Sequence, residues 1–514
     1  MAEEVDVKTR GIKSSSELFG PVGAPRELHG RAQVFTNERN ITESNVLAEL
    51  NRVLPTHQRN REEEVYLEKY LRGIQPILNR VKKYNDHVNN RIVVNIANEI
   101  VTFKTAEFAG EPIQYVSRGS KKSIPKKIEK LNSMMISEGK QSKDMDLAYK
   151  MFTNGVAYRL VLNDKAEKVV KGDLLDEAPF EVYIPDPRNT FVVRLNDVTK
   201  QVVMGVTYVY VTDTSVHYTV YTETECFVLE GTNQRATKLI DRTVHNLGMV
   251  PLIEYPCNSI FMGSFEVVLP LLDAINATQS NRLDGVEQFI QAIMVFEGVD
   301  ITADQLTELK ELGAIKLPSG KVYYLNEQLD QDQTQTLVDD LYQTILQIVG
   351  MPSQGSGNTS DSSNNGAVIL KNGWWSAEAR ALETEGMWRQ AETEFLKIAL
   401  KICSDANVLT GLAVSDVECK FSRRSYQDLM TKTQSFATLL SSGAPPIQAY
   451  TISGLVSDPE ASAIQYDEYN QQREAELTNS LLEVTSREGA GTVQTGRQRA
   501  GATDQTNSEE DSTD

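Results

Sequence analysis

Cysteine is scarce and scattered: Cys226, Cys257, Cys403 and Cys419 are the whole complement of a 514-residue chain. They have neither the paired spacing of a zinc site nor the density of a disulfide scaffold, so they read as reduced structural thiols. Histidine is as thin, with His29, His57, His87, His217 and His245 all beyond metal-ligand spacing of one another. Long apolar runs are missing too. Nothing approaches the roughly 18 residues a spanning helix requires, and Met1 to Lys13 is charged, so neither membrane insertion nor a secretory leader is expected. No Gly-x-Ser-x-Gly elbow, HExxH pair or kinase set occurs, and Gly320-Lys321 lacks the preceding glycine of a phosphate-binding loop. No catalytic residue, metal or cofactor is therefore expected. Positive charge is also short, the formal net charge being −19. That argues against a protein gripping nucleic acid through counterion release, but not against one that lets DNA slide past.

What is present is organised around Ser264 to Pro352, which reads as a helix, a strand-bearing excursion and a returning helix. In Val267, Val268, Leu271, Leu272, Ile275, Leu283, Val286, Phe289, Ile290, Ile293 and Met294 the apolar residues recur mostly at three- and four-residue steps. Only Asn276 to Arg282 interrupts that stripe. The second helix steps through Leu337/Val338, Leu341/Tyr342, Ile345/Leu346 and Val349 until Gly350 and Pro352 stop it. Between them, Ala314 to Leu317 and Val322 to Leu325 flank Pro318, Ser319, Gly320 and Lys321, and are expected to form a hairpin.

Residues 1 to 41 read as a loosely held arm, with order starting near Thr42. Helices are expected around Val46 to Val53 and Glu62 to Tyr70, and over Met134 to Phe152. Strands are expected at Val156 to Leu162, Phe180 to Ile184, Thr190 to Leu195, Val202 to Val211, Val216 to Tyr221 and Cys226 to Leu229, a meander. Arg118, Lys121, Lys122, Lys126, Lys127 and Lys130 form a basic stretch, for which a solvated helix start is the plainer reading than a phosphate-facing patch. From Ser353 to Gly366 the chain is small and polar throughout and cannot bury anything. Ala367 to Cys403 reads as a third long helix holding Trp374, Trp375 and Trp388, more naturally core anchors than a binding platform. A last helical set, Tyr426 to Leu440, Gln448 to Leu455 and Pro459 to Glu476, precedes an acidic tail expected to be disordered. Two carboxylate pairs, Asp144 with Asp146 and Asp186 with Asp197, are the candidates for a divalent metal. Residues two apart on a helix point to different sides, however, and Asp186 sits in a Pro-Asp-Pro turn.

The order of elements resembles the portal proteins of tailed bacteriophages, over roughly Thr42 to Glu474. The residues carrying the resemblance are Asn89-Asn90-Arg91-Ile92-Val93-Val94-Asn95 with Gly110-Glu111-Pro112-Ile113, Leu247-Gly248-Met249-Val250-Pro251-Leu252-Ile253-Glu254-Tyr255, and Asn364-Asn365-Gly366-Ala367-Val368-Ile369-Leu370. One departure is that the family's compact Gly-Asn-x-Ser-Gly pattern is stretched here between Gly357-Asn358 and Gly366.

The resemblance implies an α+β, mainly helical fold: an α/β wing over residues 42–263 and 367–425, a stem from 264–297 and 328–352, a small α/β clip at 298–327, and a helical crown at 426–476. The arm would be 1–41 and the tail 477–514. The stem would pack through Leu271, Leu272, Ile275, Val286, Phe289, Ile293, Leu337, Leu341, Ile345 and Val349. A tunnel loop at 353–366 would present Ser353, Gln354, Ser356, Asn358, Thr359, Ser360, Ser362, Ser363, Asn364 and Asn365 to DNA. It also implies a dodecameric ring at one capsid vertex of a virion, made in the host cytoplasm, conducting double-stranded DNA during packaging and ejection. Its implied partners are the terminase large subunit, a head-completion adaptor, and the major capsid and scaffolding proteins, without a membrane. Two readings compete with it: a metal-dependent hydrolase or nuclease using the acidic pairs, and a virion scaffold or adaptor that forms no ring.

Overall fold

The computed structural model describes residues 30–82, 88–118, 123–163, 177–232, 234–290, 293–297, 321–325, 331–352, 374–421, 429–456 and 458–491. They form a mixed α+β fold in two compact units, Met1–Asp428 and Leu429–Asp514. In the first unit, helix α1 (Val46–Leu71) runs unbroken through Pro55, where the sequence alone suggests two helices. Its buried face recurs at Val46, Leu50, Val53, Leu54 and His57, then at Arg61, Glu64 and Tyr70, the spacing of one helical side. A hydrophobic stripe that continues on both sides of a proline keeps the helix together despite the lost hydrogen bond.

Strands β1 (Val34–Thr36), β5 (Thr190–Leu195), β6 (Val202–Tyr210), β7 (Val216–Tyr221), β8 (Glu225–Gly231) and β9 (Ala236–Val244) lie side by side in that order. From β5 to β9 every pairing is antiparallel, a meander, whereas β1 joins parallel to β5. Val34, Phe191, Val206, Tyr218 and Phe227 bury against Leu50, Val53 and Leu54 of α1. The arm expected over residues 1–41 is therefore shorter: Val34–Thr36 is a strand of the sheet, held because its alternate residues Val34 and Thr36 are buried.

A second sheet sets β3 (Val156–Leu162) between β10 (Leu252–Pro256) and β4 (Glu181–Tyr183), and β2 (Gln114–Ser117) pairs with β13 (Val417–Lys420). Helices α2 (Ile96–Ala109), α3 (Ile124–Ser137), α4 (Lys140–Asn154) and α7 (Trp374–Asp405) share with β3 and β10 one large core. Gly155, φ +83°, ends α4, and a Cβ there would stand 2.2 Å from the Phe261 carbonyl oxygen, so only glycine closes this turn. Trp388 is fully buried among Phe108 and Tyr255, a core anchor as expected.

His57, stacked at 4.2 Å on Phe191 and 3.0 Å from the Tyr208 hydroxyl, is pushed down to about 3 by burial and by the nearby Arg61 guanidinium. An unfolded imidazole takes up its proton near pH 6.5, while the folded one does not until about pH 3. Stability from this site is complete above pH 6.5 and falls by up to about 1.4 kcal/mol per pH unit below it. His57→Gln should flatten the pH dependence of the urea midpoint between pH 6.5 and 4. An unchanged slope would show that His57 is not a proton-linked element.

In the second unit α8 (Leu429–Ser441), α9 (Pro446–Ser453) and α10 (Pro459–Gly491) follow one another. Pro446 starts α9, Gly454 ends it at φ +59°, and Phe436 stacks on Tyr450 at 4.4 Å. Asp458 caps α10 by accepting from Ala461 N at 2.9 Å. Because α10 continues to Gly491, the tail expected from residue 477 is helical at its start.

Candidate functional site

Helices α5 (Leu269–Ile290) and α6 (Gln331–Val349) are the antiparallel pair. At one end Leu272, Ile275, Ile345 and Val349 are buried in the main core, with Leu271 and Leu341 packed half-buried against it. Along α6 the stripe at four-residue steps opens progressively. Val349 is 2% exposed and Ile345 0%, while Leu337 is 49% exposed. On α5 the stripe behaves alike, from Leu272 and Ile275 at 1% to Val286 at 37%. Over a span of roughly 18 Å the stripe thus grows more open toward Val286 and Leu337, although Val338 beside Leu337 is buried at 8%. Phe289 lies in the last turn of α5.

Ile293, expected in the helix, is instead the first residue of β11 (Ile293–Glu297), which pairs antiparallel with β12 (Lys321–Leu325). The run Ile-Met-Val-Phe is β-branched and aromatic enough to prefer the extended form once a partner exists. Of the hairpin expected between Ala314–Leu317 and Val322–Leu325, the second run is a strand and the first is not among the described residues. Val322 to Leu325 lies against Ile293 to Phe296, with Lys321 opposite Glu297. Ala314 to Leu317 and Pro318, Ser319 and Gly320 lie outside the described residues, as do the loop positions from Ser353 to Asn365.

The interruption of the α5 stripe has a physical cause. Asn276, Ser280 and Asp284 stand at four-residue steps on a second face, all nearly fully buried. They accept from every second backbone N–H of the segment beside them: Val94 N to Asn276 Oδ1 at 2.7 Å, Ile92 N to Ser280 Oγ at 2.9 Å and Asn90 N to Asp284 Oδ1 at 2.7 Å. Four helical residues rise about 6.0 Å and two extended residues about 6.6 Å, so helix acceptors and chain donors stay in step. Asp284 also takes Arg80 Nη1 at 2.9 Å and Lys82 Nζ at 2.5 Å. Burial alone would raise its carboxyl, but the Lys82 ammonium and the Asn90 donors hold it below the usual range. Asn276 Nδ2 donates to Gln75, and Tyr70 donates to Asp273 Oδ1 at 2.8 Å, extending the seam toward α1. Asp284→Leu leaves the two Asn90 donors without their acceptor and takes the carboxylate from Arg80 and Lys82, which keep the Asn90 and Val88 carbonyls, and should destabilise the unit by about 1–3 kcal/mol. Urea unfolding measures it, and a loss under about 0.5 kcal/mol would deny the seam its anchoring role.

A second polar cluster fixes α7. Arg159 of β3, 1% exposed, donates to Glu392 Oε2 at 2.9 Å and to Asp144 Oδ1 at 2.5 Å. Lys140 reaches Asp144, and the Tyr115 and Tyr255 hydroxyls both donate to Glu392. Burial alone would raise the Glu392 carboxyl; Arg159 and Lys140 overcome it and hold it well below the ordinary carboxylate range. Burial raises Asp144 despite the same two cations.

The carboxylates considered for metal binding are thereby engaged elsewhere. Asp144 is in the buried cluster, Asp146 pairs with Lys150 at 2.8 Å, Asp186 holds its own turn through Arg188, and Asp197 caps the β5–β6 turn through Thr199 and Lys200. Among the described residues no three His, Cys, Asp or Glu side chains converge. In the basic stretch Lys127 and Lys130 donate to the Gly411 and Val408 carbonyls, each at 2.8 Å, tying α3 to the turn after α7. Lys121 and Lys122 lie outside the described residues.

A family model described as phage portal protein, SPP1 Gp6-like, matches residues 50–475. No curated protein matches the chain. Among solved structures, it is similar to a chain of the neck of an empty GTA particle computed with C6 symmetry, at 10% identity and a TM-score of 0.39, over 70% of this chain and 90% of that one.

Proposed function

The chain belongs to the phage portal proteins of the SPP1 Gp6-like family, and from that premise we propose that its copies close into a ring through which double-stranded DNA enters and leaves a capsid. The role is structural rather than enzymatic. In this reading α5 and α6 are the stem at the channel, β11 and β12 belong to the clip that meets the terminase large subunit and then a head-completion adaptor, and the major capsid and scaffolding proteins surround the ring at one vertex. Residues 353–366 face the DNA, and residues 426–476 are the crown.

The observation that carries this reading is the apolar seam left open at Val286 and Leu337. A cyclic ring gives every subunit one heterologous interface on each flank, so a stem helix needs apolar contact beyond its own partner. Charge fits the passage. Twelve copies at −19 each give a channel and outer surface that repel phosphate, so DNA slides without being held. Against the nuclease reading, Asp144, Asp146 and Asp186 are engaged by Lys140, Arg159, Lys150 and Arg188, and Asp197 accepts from the Thr199 and Lys200 backbone N–H groups.

Deleting part of Ser353 to Asn365 should leave rings intact in negative-stain images while DNA packaging falls sharply. Unchanged packaging would refute the loop's channel role. A particle that stays monomeric even when co-produced with capsid and scaffolding partners would refute the ring.

A further inference from the structure

Between β10 and α5 the chain turns through Asn258 to Ser264, and there Phe261 stands at φ +58° while only 7% exposed. A bulky residue in the left-handed region is a true outlier, because its Cβ crowds the following carbonyl oxygen. Such a conformation persists only where its surroundings over-determine it. Asn258 supplies part of the constraint: its Oδ1 accepts from Met262 N at 3.0 Å, and its Nδ2 donates to the Met262 carbonyl at 2.8 Å. Both of those partners lie within the turn.

The constraint from outside the turn comes from residues 30–36. Arg31 N donates to the Phe261 carbonyl at 3.0 Å, and Gly30, at φ +66°, lies so close that a Cβ would stand 1.9 Å from the Ile260 carbonyl oxygen. The Arg31 guanidinium, its side chain 2% exposed, pairs through Nη2 with Glu266 at 2.6 Å and with Glu63 of α1 at 2.8 Å. Glu266, fully buried, turns its other oxygen to Gly263 N at 2.9 Å. One arginine thus grips the strained turn twice, directly at Phe261 and through Glu266 at Gly263. The same segment is fastened on its far side as well. Ala32 exchanges two hydrogen bonds with the Asn60 side-chain amide of α1, at 2.9 and 2.8 Å, and Val34–Thr36 is strand β1 of the six-stranded sheet.

We propose that residues 30–36 are a latch: they hold Phe261 in its left-handed state and so fix the direction in which α5 leaves β10, and a shift of α1 or β1 that loosens Arg31 lets Phe261 relax and α5 re-aim. Phe261 is the two-state element, and the latch ties it to α1 and to the edge of the sheet. The device belongs to the single chain and holds whether or not rings form. Where α5 is a stem helix, it carries a movement of the sheet to the stem.

Hydrogen exchange of the full chain, read by mass spectrometry, tests the latch. Arg31→Met should raise exchange in a peptide from Cys257 to Val268 about tenfold or more, while peptides from β6 to β8 and from α7 stay within about twofold of the unaltered chain. Phe261→Asn removes the strain, since Asn accepts the left-handed region, so Arg31→Met added to it should raise exchange at the turn by less than about threefold. Asn60→Ala, which opens only the Ala32 clasp, should raise exchange at the turn by about threefold with the control peptides unmoved, and it carries the same comparison if Arg31→Met fails to fold. Unchanged exchange at the turn, a rise shared by the control peptides, or an equal rise with and without Phe261→Asn would each overturn the proposal.

Discussion

Arg159→Leu will destabilise the larger unit by about 3–5 kcal/mol, enough to unfold many domains of ordinary stability. The arginine lies over the rings of Tyr255 at 4.8 Å and Phe395 at 4.5 Å and joins Glu392 of α7 to Asp144 of α4. Removing it leaves two carboxylates out of water with Lys140 as the remaining cation. The cost arises from the charges left behind more than from the attraction that the guanidinium supplied. Adding Glu392→Leu to Arg159→Leu should therefore recover part of the stability, since the stranded anion is gone, less what the Tyr115 and Tyr255 hydroxyls lose with their acceptor. Lys140 and Asp144 would then remain as a matched pair. Urea unfolding followed by tryptophan fluorescence reads the effect, because the Arg159 guanidinium is 5.9 Å from the Trp388 ring. A single-variant loss below about 1 kcal/mol, or a double variant as unstable as the expected single, would mean that the cluster is not a charge-balanced lock.

That cluster was invisible in the sequence for a plain reason. Tyr115 and Glu392 are 277 residues apart, and Arg159 and Glu392 are 233 apart, so no local pattern joins them. The local pattern served well where short apolar, β-branched and aromatic runs are separated by polar turns: the strands from β3 to β8 fall within a residue or two of such runs, although β3 and β5 are buried on both faces. It failed at β9, whose residues from Thr237 to Val244 are nearly all exposed on both faces and give no alternation to read. It failed differently at Ile293, because a short apolar run fits a helix or a strand until its partner is known. The polar seam is the more instructive case. Asn276, Ser280 and Asp284 looked like a gap in an amphipathic helix, yet their four-residue spacing is as regular as the apolar stripe. Three polar residues at helical spacing beside a polar-flanked extended stretch, Asn90 to Asn95, were the available signal.

Leu337→Asp with Val286→Asp should abolish ring formation while leaving the single chain folded. Both side chains are substantially open to solvent, at 49% and 37%, so a charge there costs little before assembly. On ring closure each subunit would have to bury two unpaired carboxylates in the seam, at several kcal/mol apiece. The penalty recurs at every interface of a closed ring, so it multiplies with the number of subunits. Ile345→Asp cannot make this distinction, because Ile345 is fully buried in its own chain's core and its loss tests folding. Leu341, half-buried against that core, falls between the two. The decisive comparison sets circular dichroism and urea midpoint beside negative-stain images of the same preparation. Native-like unfolding with no rings places Leu337 and Val286 in the interface between subunits. Normal rings at unchanged concentration would mean that the open end of the stripe faces solvent, and that the ring, if it forms, is sealed by another surface.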